Sequence, residues 1–318
     1  MEMKRRKFLV RSLSGAGSFL VGACLGESKP RRMTFGPYRQ VQLGKTKIKT
    51  SLVGLGTGMR GWKRESNQTR LGREGFNALA RGCFERGIRL FDAADLYGSH
   101  SFLAEALRGI RREDYVIVSK IWWRKGGLPE AERPPADVVV ERFLSELETE
   151  YIDLLLLHCV VSGKWPDELG DYMETMARLK KRGLIRAHGV SCHSLEALEA
   201  CVKEPWVDSV HARINPYAVK MDVKDVRDVP KVAAVLKALR SRGKAVIGIK
   251  VMGEGVFGES GERRDSSIRY VLESGCVDAV VVGFEKIAEV DDFAARVRKV
   301  ETTGTGSRTK ALQPAREI

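Results

Sequence analysis

Short apolar runs alternate with longer segments in which apolar residues recur every three or four positions. The short runs indicate buried strands, and the longer segments indicate helices with one apolar face, several of them ending at a glycine. The strand candidates are SLVGLG from Ser51, IRLFDAA from Ile88, YVIVSK from Tyr115, IDLLLL from Ile152, IRAHGVS from Ile185, SVHARI from Ser209, KAVIGIKV from Lys244 and DAVVVGF from Asp278. Eight strands that alternate with helices predict an α/β fold of the (β/α)8 TIM barrel type.

A shorter alternating pattern precedes the first of these strands. The segment YRQVQLGKTKIKTS alternates around Gly44 and Lys45 like a small hairpin, which we expect at the bottom of the barrel. Two longer segments, 122–135 and 160–169, follow the third and fourth strands, and we expect both on the mouth side, where loops set substrate choice. The last stretch, 301–318, has no periodicity and predicts a disordered tail.

The length and charge limit the classes of protein to consider. A chain of 318 residues with 43% hydrophobic composition suffices for one barrel, which commonly takes about 250 residues. We predict a single catalytic domain over 38–300, preceded by a linker at 31–37. The formal net charge is +14, but the basic residues are scattered and no nucleic-acid motif with interleaved aromatics is present. A solvated basic surface therefore explains the charge better than a nucleic-acid partner does.

The first 30 residues indicate an export signal. A basic head is followed by a weakly apolar segment that Gly and Ser interrupt too often for a good membrane span. The run Arg5-Arg6-Lys7-Phe8-Leu9 resembles a twin-arginine signal, and Val21-Gly22-Ala23-Cys24 resembles a bacterial lipobox with Cys24 as the lipid-bearing residue. We expect a protein exported by that machinery, periplasmic or membrane-anchored facing the periplasm. A basic, poorly ordered tail and an unlipidated Cys24 stay open as alternatives.

The remaining cysteines stand singly, without a CxxC pair or a His-rich spacing. This pattern indicates neither a metal site nor a disulfide framework, and buried, unpaired thiols are the simpler interpretation. These cysteines are Cys83, Cys159, Cys192, Cys201 and Cys276.

Four polar residues lie at, or just beyond, the ends of separate predicted strands: Asp92, Tyr97, Lys120 and His158. In a parallel barrel the strand ends and the loops after them point at one mouth, so these residues can converge there. A phenol beside an ammonium that is paired to a carboxylate is a proton donor tuned toward neutral pH. Taken singly, each residue is better explained by packing or by solvent exposure.

Seven motifs in this order, from Tyr38 to Val300, resemble the aldo-keto reductase family. They are YRQVQLGKT, LVGLGTG, FDAADLYG, the lysine of VSK, LETEYIDLLLLH, KKRGLIRAHGVS and VVVGF. The resemblance implies a (β/α)8 barrel that holds an extended nicotinamide cofactor without a Rossmann domain. The absence of GxGxxG after a strand agrees with it.

The resemblance also implies roles for the four polar residues. Tyr97 would be the general acid that protonates a carbonyl oxygen as hydride arrives, and Lys120 would lower the phenol's pKa from about 10. Asp92, rather than Asp95 of the same motif, would hold the ammonium, and His158 would orient the carbonyl. The implied activity is reduction of an aldehyde or ketone, or oxidation of an alcohol or sugar. The alternative is a catalytically weak cofactor-binding sensor or partner protein on the same barrel.

The cofactor contacts carried over from the family are less regular than the catalytic residues. Cys192 replaces a usual Asn, His211 stands where Gln is common, and Glu285 would repel a 2′-phosphate unless Lys286 offsets it. NADP(H) is expected from the family habit, and NAD(H) stays open. The expected cofactor residues are Gly56, Thr57, Gly58, Ser191, Cys192, His211, Lys250, Met252, Gly253, Phe284, Lys286 and Glu289.

Two tryptophans and an arginine directly follow the strand of the predicted catalytic lysine. At the mouth, Trp122 or Trp123 would stack on an aromatic or sugar-like substrate, and Arg124 would reach an acidic group. Aromatic residues that only stabilise a long loop are equally compatible with the pattern, so we expect one of the two tryptophans to line the pocket.

Overall fold

The chain folds around eight parallel strands that close into a barrel, which confirms the predicted fold class. The computed structural model describes residues 32–303, with the backbone alone described at 32–34 and 301–303. Its strands are β1 (Arg32–Thr34), β2 (Gln40–Gln42), β3 (Lys49–Ser51), β4 (Val53–Gly56), β5 (Leu90–Asp92), β6 (Val116–Ile121), β7 (Ile152–Val160), β8 (Ile185–Cys192), β9 (Ser209–Arg213), β10 (Ala245–Ile249), β11 (Ala279–Val282) and β12 (Glu301–Thr303). Strands β4 to β11 pair in chain order, and β11 closes the barrel on β4.

Helices return along the outside of the barrel between successive strands. In α1, for example, Phe76, Leu79 and Cys83 are buried at spacings of three and four residues, as an apolar face toward a sheet requires. The helices are α1 (Gly72–Glu85), α2 (His100–Leu107), α3 (Ala136–Glu146), α4 (Trp165–Glu168), α5 (Gly170–Lys181), α6 (Leu195–Lys203), α7 (Val229–Ser241), α8 (Gly261–Glu273) and α9 (Ile287–Lys299).

The predicted hairpin is present and closes the bottom of the barrel. Strands β2 and β3 pair antiparallel, and Leu43 and Ile48 of their turn are fully buried against the residues that fill the barrel interior. The turn approaches the barrel so closely that a Cβ on Gly44, which has a φ of +50°, would lie 2.5 Å from the Ala245 nitrogen. Only glycine fits there, on both conformational and steric grounds.

The two ends of the described chain meet beside the barrel. After α9 ends, β12 pairs antiparallel with β1 in the register Arg32↔Thr303. This pair lies within the ranges expected to be linker and tail. The expected export segment, including Cys24, and residues 304–318 lie outside the described residues. Within 32–303, no helix is long and apolar enough to cross a membrane.

Candidate active site

The predicted catalytic residues reach the mouth of the barrel from three successive strands. Asp92 is the last residue of β5, Tyr97 ends the 3-10 turn after it, and Lys120 is the penultimate residue of β6. His158 lies in β7, where the register against β8 advances by three residues on β7 and by two on β8, from Leu157 to Val160. Such a one-residue bulge changes the direction in which a side chain points. The bulge therefore helps to set the direction of the His158 imidazole.

Asp92 and Lys120 form a buried ion pair at the base of the site. The Lys120 Nζ donates to the Asp92 Oδ1 at 2.6 Å and to the Ala93 carbonyl at 2.9 Å. Burial opposes the charge of the carboxylate, but Lys120 and His211 outweigh it and hold the pKa of Asp92 below its ordinary value. Burial lowers the pKa of Lys120, and the attraction of Asp92 offsets that effect only in part. Mutual pairing thus keeps two buried charges in place.

Tyr97 stands above this pair with its hydroxyl toward His158. The hydroxyl oxygen lies 3.3 Å from the His158 Nε2, and the Lys120 Nζ lies 4.9 Å from the centre of the Tyr97 ring. The backbone of Gly58 and Gly61 packs flat against the ring, where any Cβ would overlap ring carbons. Two glycines therefore set the depth of the phenol in the mouth.

In this arrangement the pKa of Tyr97 is raised rather than lowered, although Lys120 lies nearby. Burial raises the pKa of Tyr97 well above 10.0, and the negative charge of Asp92 raises it further. The Lys120 ammonium lies near the Tyr97 ring and donates hydrogen bonds to Asp92 and to the Ala93 carbonyl. The phenol is therefore held in its protonated form, ready to donate.

His158 is a neutral imidazole in this site. Burial lowers its pKa well below 6.5, and the nearby charge of Lys120 lowers it further. The rings of Tyr97 and Trp122 stand edge-on to it, with centroids at 5.4 and 5.5 Å. A neutral imidazole can donate one hydrogen bond to a substrate oxygen without bringing a charge into the site.

A cavity of about 560 Å³ runs from these four residues, past the ends of β8 and β10, to the start of α9. All four predicted catalytic residues line it. The predicted cofactor residues that line it are Gly56, Gly58, Ser191, Lys250, Met252, Phe284 and Glu289. The lining residues thus extend from the four predicted catalytic residues at one end to the first turn of α9 at the other.

The family comparison agrees with this geometry. The model of the aldo/keto reductase family matches residues 52–267. The chain belongs to the aldo/keto reductase family. It is 23% identical over 314 residues to the L-galactose dehydrogenase of Arabidopsis thaliana, an alignment that covers 87% of this chain and 95% of that protein. Other curated relatives match it over about half of their own length.

Solved structures of this family superpose on the barrel. A Pseudomonas aeruginosa protein classed as a candidate aldo-keto reductase gives a TM-score of 0.66 at 26% identity, and covers 86% of this chain and 99% of its own. An aldo-keto reductase from Klebsiella pneumoniae in complex with NADPH gives a TM-score of 0.60 at 19% identity, over 82% and 89% of the two chains. At that identity, the second similarity concerns the fold alone.

Five residues expected at the cofactor of this aldo/keto reductase do not line the cavity. Thr57 is buried behind it and donates to the Asp92 carbonyl at 2.8 Å, and the His211 Nε2 lies 3.0 Å from the Asp92 Oδ1. The Cys192 thiol is turned toward Cys201, because successive side chains of a strand point to opposite faces and Ser191 takes the inner one. The other two are Gly253, which is buried, and Lys286, which is exposed.

The expected substrate residues are not among the residues that line this cavity. The Trp122 indole nitrogen donates to the Gly126 carbonyl at 2.6 Å, within its own loop. The Trp123 indole nitrogen donates to the His158 carbonyl at 2.8 Å. The two indoles therefore brace His158, and Arg124 lies in the same loop.

Two further acidic residues of the predicted motifs belong to the scaffold. Asp95, the rival to Asp92, is buried and pairs with Arg64 at 3.0 Å and with Arg142 at 2.9 Å. Asp153 is buried and pairs with Arg112 at 2.7 Å and with Arg186 at 2.6 Å. Neither carboxylate contacts Lys120, which leaves Asp92 as its partner.

Several cavity residues were missed in the sequence. His193 follows Ser191 by two positions, and residues two apart along a strand point to the same face. This alternation could have placed His193 at the cavity beside Ser191. Arg264 comes from α8, far from any motif, and pairs with Asp292 at 2.8 Å. Its Nε is buried and has no hydrogen-bond partner among the described residues. The other missed polar residues that line the cavity are Glu254 and Asp292. Glu285, which the sequence placed near a 2′-phosphate, lines it as well.

Proposed function

We propose that this aldo/keto reductase is an NADP(H)-dependent oxidoreductase that reduces an aldehyde or ketone, or in reverse oxidises the corresponding alcohol or sugar. One observation carries the proposal. The protonated phenol of Tyr97 lies 3.3 Å from the neutral imidazole of His158 and above the Asp92–Lys120 pair, and all four line one cavity. Such a group can protonate an oxygen as negative charge develops on it.

The residues of this chain account for the fate of the proton. A reduced nicotinamide, when bound, supplies the hydride to the carbonyl carbon. The O–H bond of Tyr97 breaks as its proton moves to the carbonyl oxygen, and the phenolate that forms lies beside the Lys120 ammonium. His158 donates a hydrogen bond to the same carbonyl oxygen and stabilises its developing charge. Solvent then returns a proton to the phenolate, and the reverse sequence oxidises an alcohol.

The cavity fits an extended dinucleotide. The near end offers glycine backbone at Gly56 and Gly58, the middle offers Lys250, and the far end offers Arg264, whose buried Nε has no partner among the described residues. A guanidinium with a free N–H suits a phosphate. Related solved structures bind NADPH or NADP, which favours NADP(H).

Carboxylates at the far end make NAD(H) the competing cofactor. Glu285, Glu289 and Asp292 line the cavity there, and each would repel a 2′-phosphate that is not paired with a cation. The proposal therefore depends on Arg264 as the cation that offsets them. Measured affinities for NADPH and NADH separate the two cofactors directly.

The decisive experiment pairs cofactor binding with turnover. We expect the purified protein to bind NADPH and to oxidise it with a generic carbonyl such as 4-nitrobenzaldehyde. We expect Tyr97→Phe to lose roughly 100-fold to 10,000-fold in kcat and to keep its affinity for NADPH, because only the proton donor is removed. Tyr172→Phe, at a half-buried phenol on α5, is the matched control.

The outcomes separate the candidate functions. Full turnover by Tyr97→Phe with unchanged affinity for NADPH would contradict the assigned mechanism. Cofactor binding by the wild-type protein without turnover across a panel of carbonyls would instead select the sensor or partner protein that the sequence left open as an alternative.

We also propose that the protein is exported in folded form with its cofactor bound, and that it acts in the periplasm or at the membrane through a lipidated Cys24. The support is the basic head, the twin-arginine-like run Arg5–Leu9 and the lipobox-like segment that ends at Cys24. Free nicotinamide cofactors are scarce outside the cytoplasm, so a cofactor loaded before export agrees with this location. The export machinery would then be a partner of the chain.

A further inference from the structure

His211 lies against the catalytic ion pair instead of lining the cavity. It comes from β9, next to Ser191 of β8 in register, and its side chain is fully buried. Its Nε2 lies 3.0 Å from the Asp92 Oδ1, the same oxygen that accepts from the Lys120 Nζ at 2.6 Å. One carboxylate oxygen thus receives two donors from two different strands.

This contact determines the protonation of the imidazole. Asp92 is ionised and can only accept, so the Nε2 must carry the hydrogen. In the neutral ring the Nδ1 is then the bare nitrogen, and it is buried without a hydrogen-bond partner among the described residues. His211 therefore donates one hydrogen bond to Asp92 through its Nε2. Its Nδ1 can take up a proton at acid pH.

We propose that His211 is a positioning residue that acts through Asp92: its Nε2–H orients the carboxylate that holds the Lys120 ammonium under Tyr97, and protonation of its Nδ1 disrupts this arrangement. The inference rests on the proposed function of the site. Protonation would place an imidazolium and an ammonium on one oxygen, and the two cations would compete for it. Lys120 would then lose the partner that keeps it beside the phenol.

The groups around His211 set the pH range of the effect. Asp92 on β5 and Lys120 on β6 act on it directly, and His158 on β7 is the neighbouring titratable ring. Burial lowers the pKa of His211 most, Asp92 opposes this, and Lys120 adds to it, so the pKa of His211 lies below 6.5. The imidazole is therefore neutral, and the arrangement intact, at neutral pH. Activity is expected to fall as the pH drops through that lowered pKa.

The test compares pH profiles of kcat in full-length variants. The amide of His211→Gln can still donate to Asp92 but cannot titrate, so we expect turnover near that of wild type at pH 7.5 and loss of the acid limb that His211 causes. We expect His211→Ala to lose about 10-fold to 100-fold in kcat with little change in KM, as outer partners of catalytic groups commonly do. His188→Gln makes the same change at a buried histidine that stacks on Trp206 outside the site, and it should keep the acid limb.

A second readout does not depend on turnover. The chain has five histidines, so the ring nitrogens can be assigned by NMR from single substitutions. We expect the His211 ring as the Nε2–H tautomer, with a titration that shifts in Asp92→Asn. An unchanged acid limb in His211→Gln, full kcat in His211→Ala, or a titration unaffected by Asp92→Asn would overturn the proposal. Absence of turnover in wild type, with the expected NMR result, would refute the proposed function instead.

Discussion

At the scale of single residues, the position of Tyr97 depends on two neighbouring glycines that have no side chain. Gly58 and Gly61 present bare backbone to the ring, and a Cβ on either would overlap ring carbons. The hydroxyl has its hydrogen-bond contact at the His158 Nε2. Steric fit on one side and the polar contact with His158 on the other thus place the phenol.

This fit makes Gly58→Ala a sharp test of the site. The added methyl group would displace the Tyr97 ring, and a displacement near 1 Å costs on the order of 100-fold in kcat. Overpacking of this kind also costs about 1–3 kcal/mol of unfolding free energy. Steady-state kinetics and thermal unfolding measure the two effects. Gly170→Ala adds the same methyl group where no other element of residues 32–303 lies within 4 Å, and it should leave kcat unchanged. An unaltered kcat in Gly58→Ala would contradict the assigned position of the phenol.

At the scale of elements, the barrel separates stability from catalysis along its axis. The hairpin of β2 and β3 seals the bottom with Leu43 and Ile48, while Asp92, Lys120 and His158 lie at the opposite ends of the strands. A change in the hairpin should therefore weaken the fold and leave the chemistry of the mouth intact.

Leu43→Ala tests this separation. Removal of a fully buried leucine from the closed bottom is expected to lower the unfolding free energy by about 2–5 kcal/mol, because the cavity left behind cannot collapse. Urea unfolding measures this loss, and kcat at 25 °C should stay that of wild type. Val138→Ala, at a half-exposed position on α3, should change stability by no more than about 0.5 kcal/mol. A lower kcat in folded Leu43→Ala would show that the two ends are coupled.

Elements also explain which site residues were predictable. Asp92 and Lys120 follow buried apolar runs, and parallel strands bring their ends to one mouth whatever the packing details. Side chains alternate along a strand, so Ser191 and Cys192 must point to opposite faces of β8. The family motif nevertheless placed both at the cofactor. Arg264 lies on a helix with no motif around it, so nothing local in its sequence pointed to the cavity.

At the scale of the whole molecule, the head of the chain raises the question of location. The twin-arginine-like run Arg5–Leu9 precedes the barrel and lies outside the described residues. If it is read by a twin-arginine-type route, the paired variant Arg5→Lys with Arg6→Lys should keep the protein in the cytoplasmic fraction, because that machinery recognises the arginines rather than their charge. Cell fractionation and immunoblotting measure the distribution.

A second arginine pair supplies the control for export. Arg31→Lys with Arg32→Lys makes the same change outside the signal and should leave the distribution as in wild type. Equal export of all three proteins would refute the proposed route. Mass spectrometry of nucleotide that copurifies with the exported protein then identifies the cofactor that was loaded.

The sequence by itself determined the order of eight strands, the hairpin that precedes them and the position of polar residues at the strand ends. These follow from periodicity and chain order, which are local properties of the chain. Only the tertiary structure decided that Tyr97 is kept protonated by burial, that Trp122 and Trp123 brace His158, and that His211 supports Asp92. Each of these depends on distances between residues far apart in the chain, and such distances exist only once the barrel has closed.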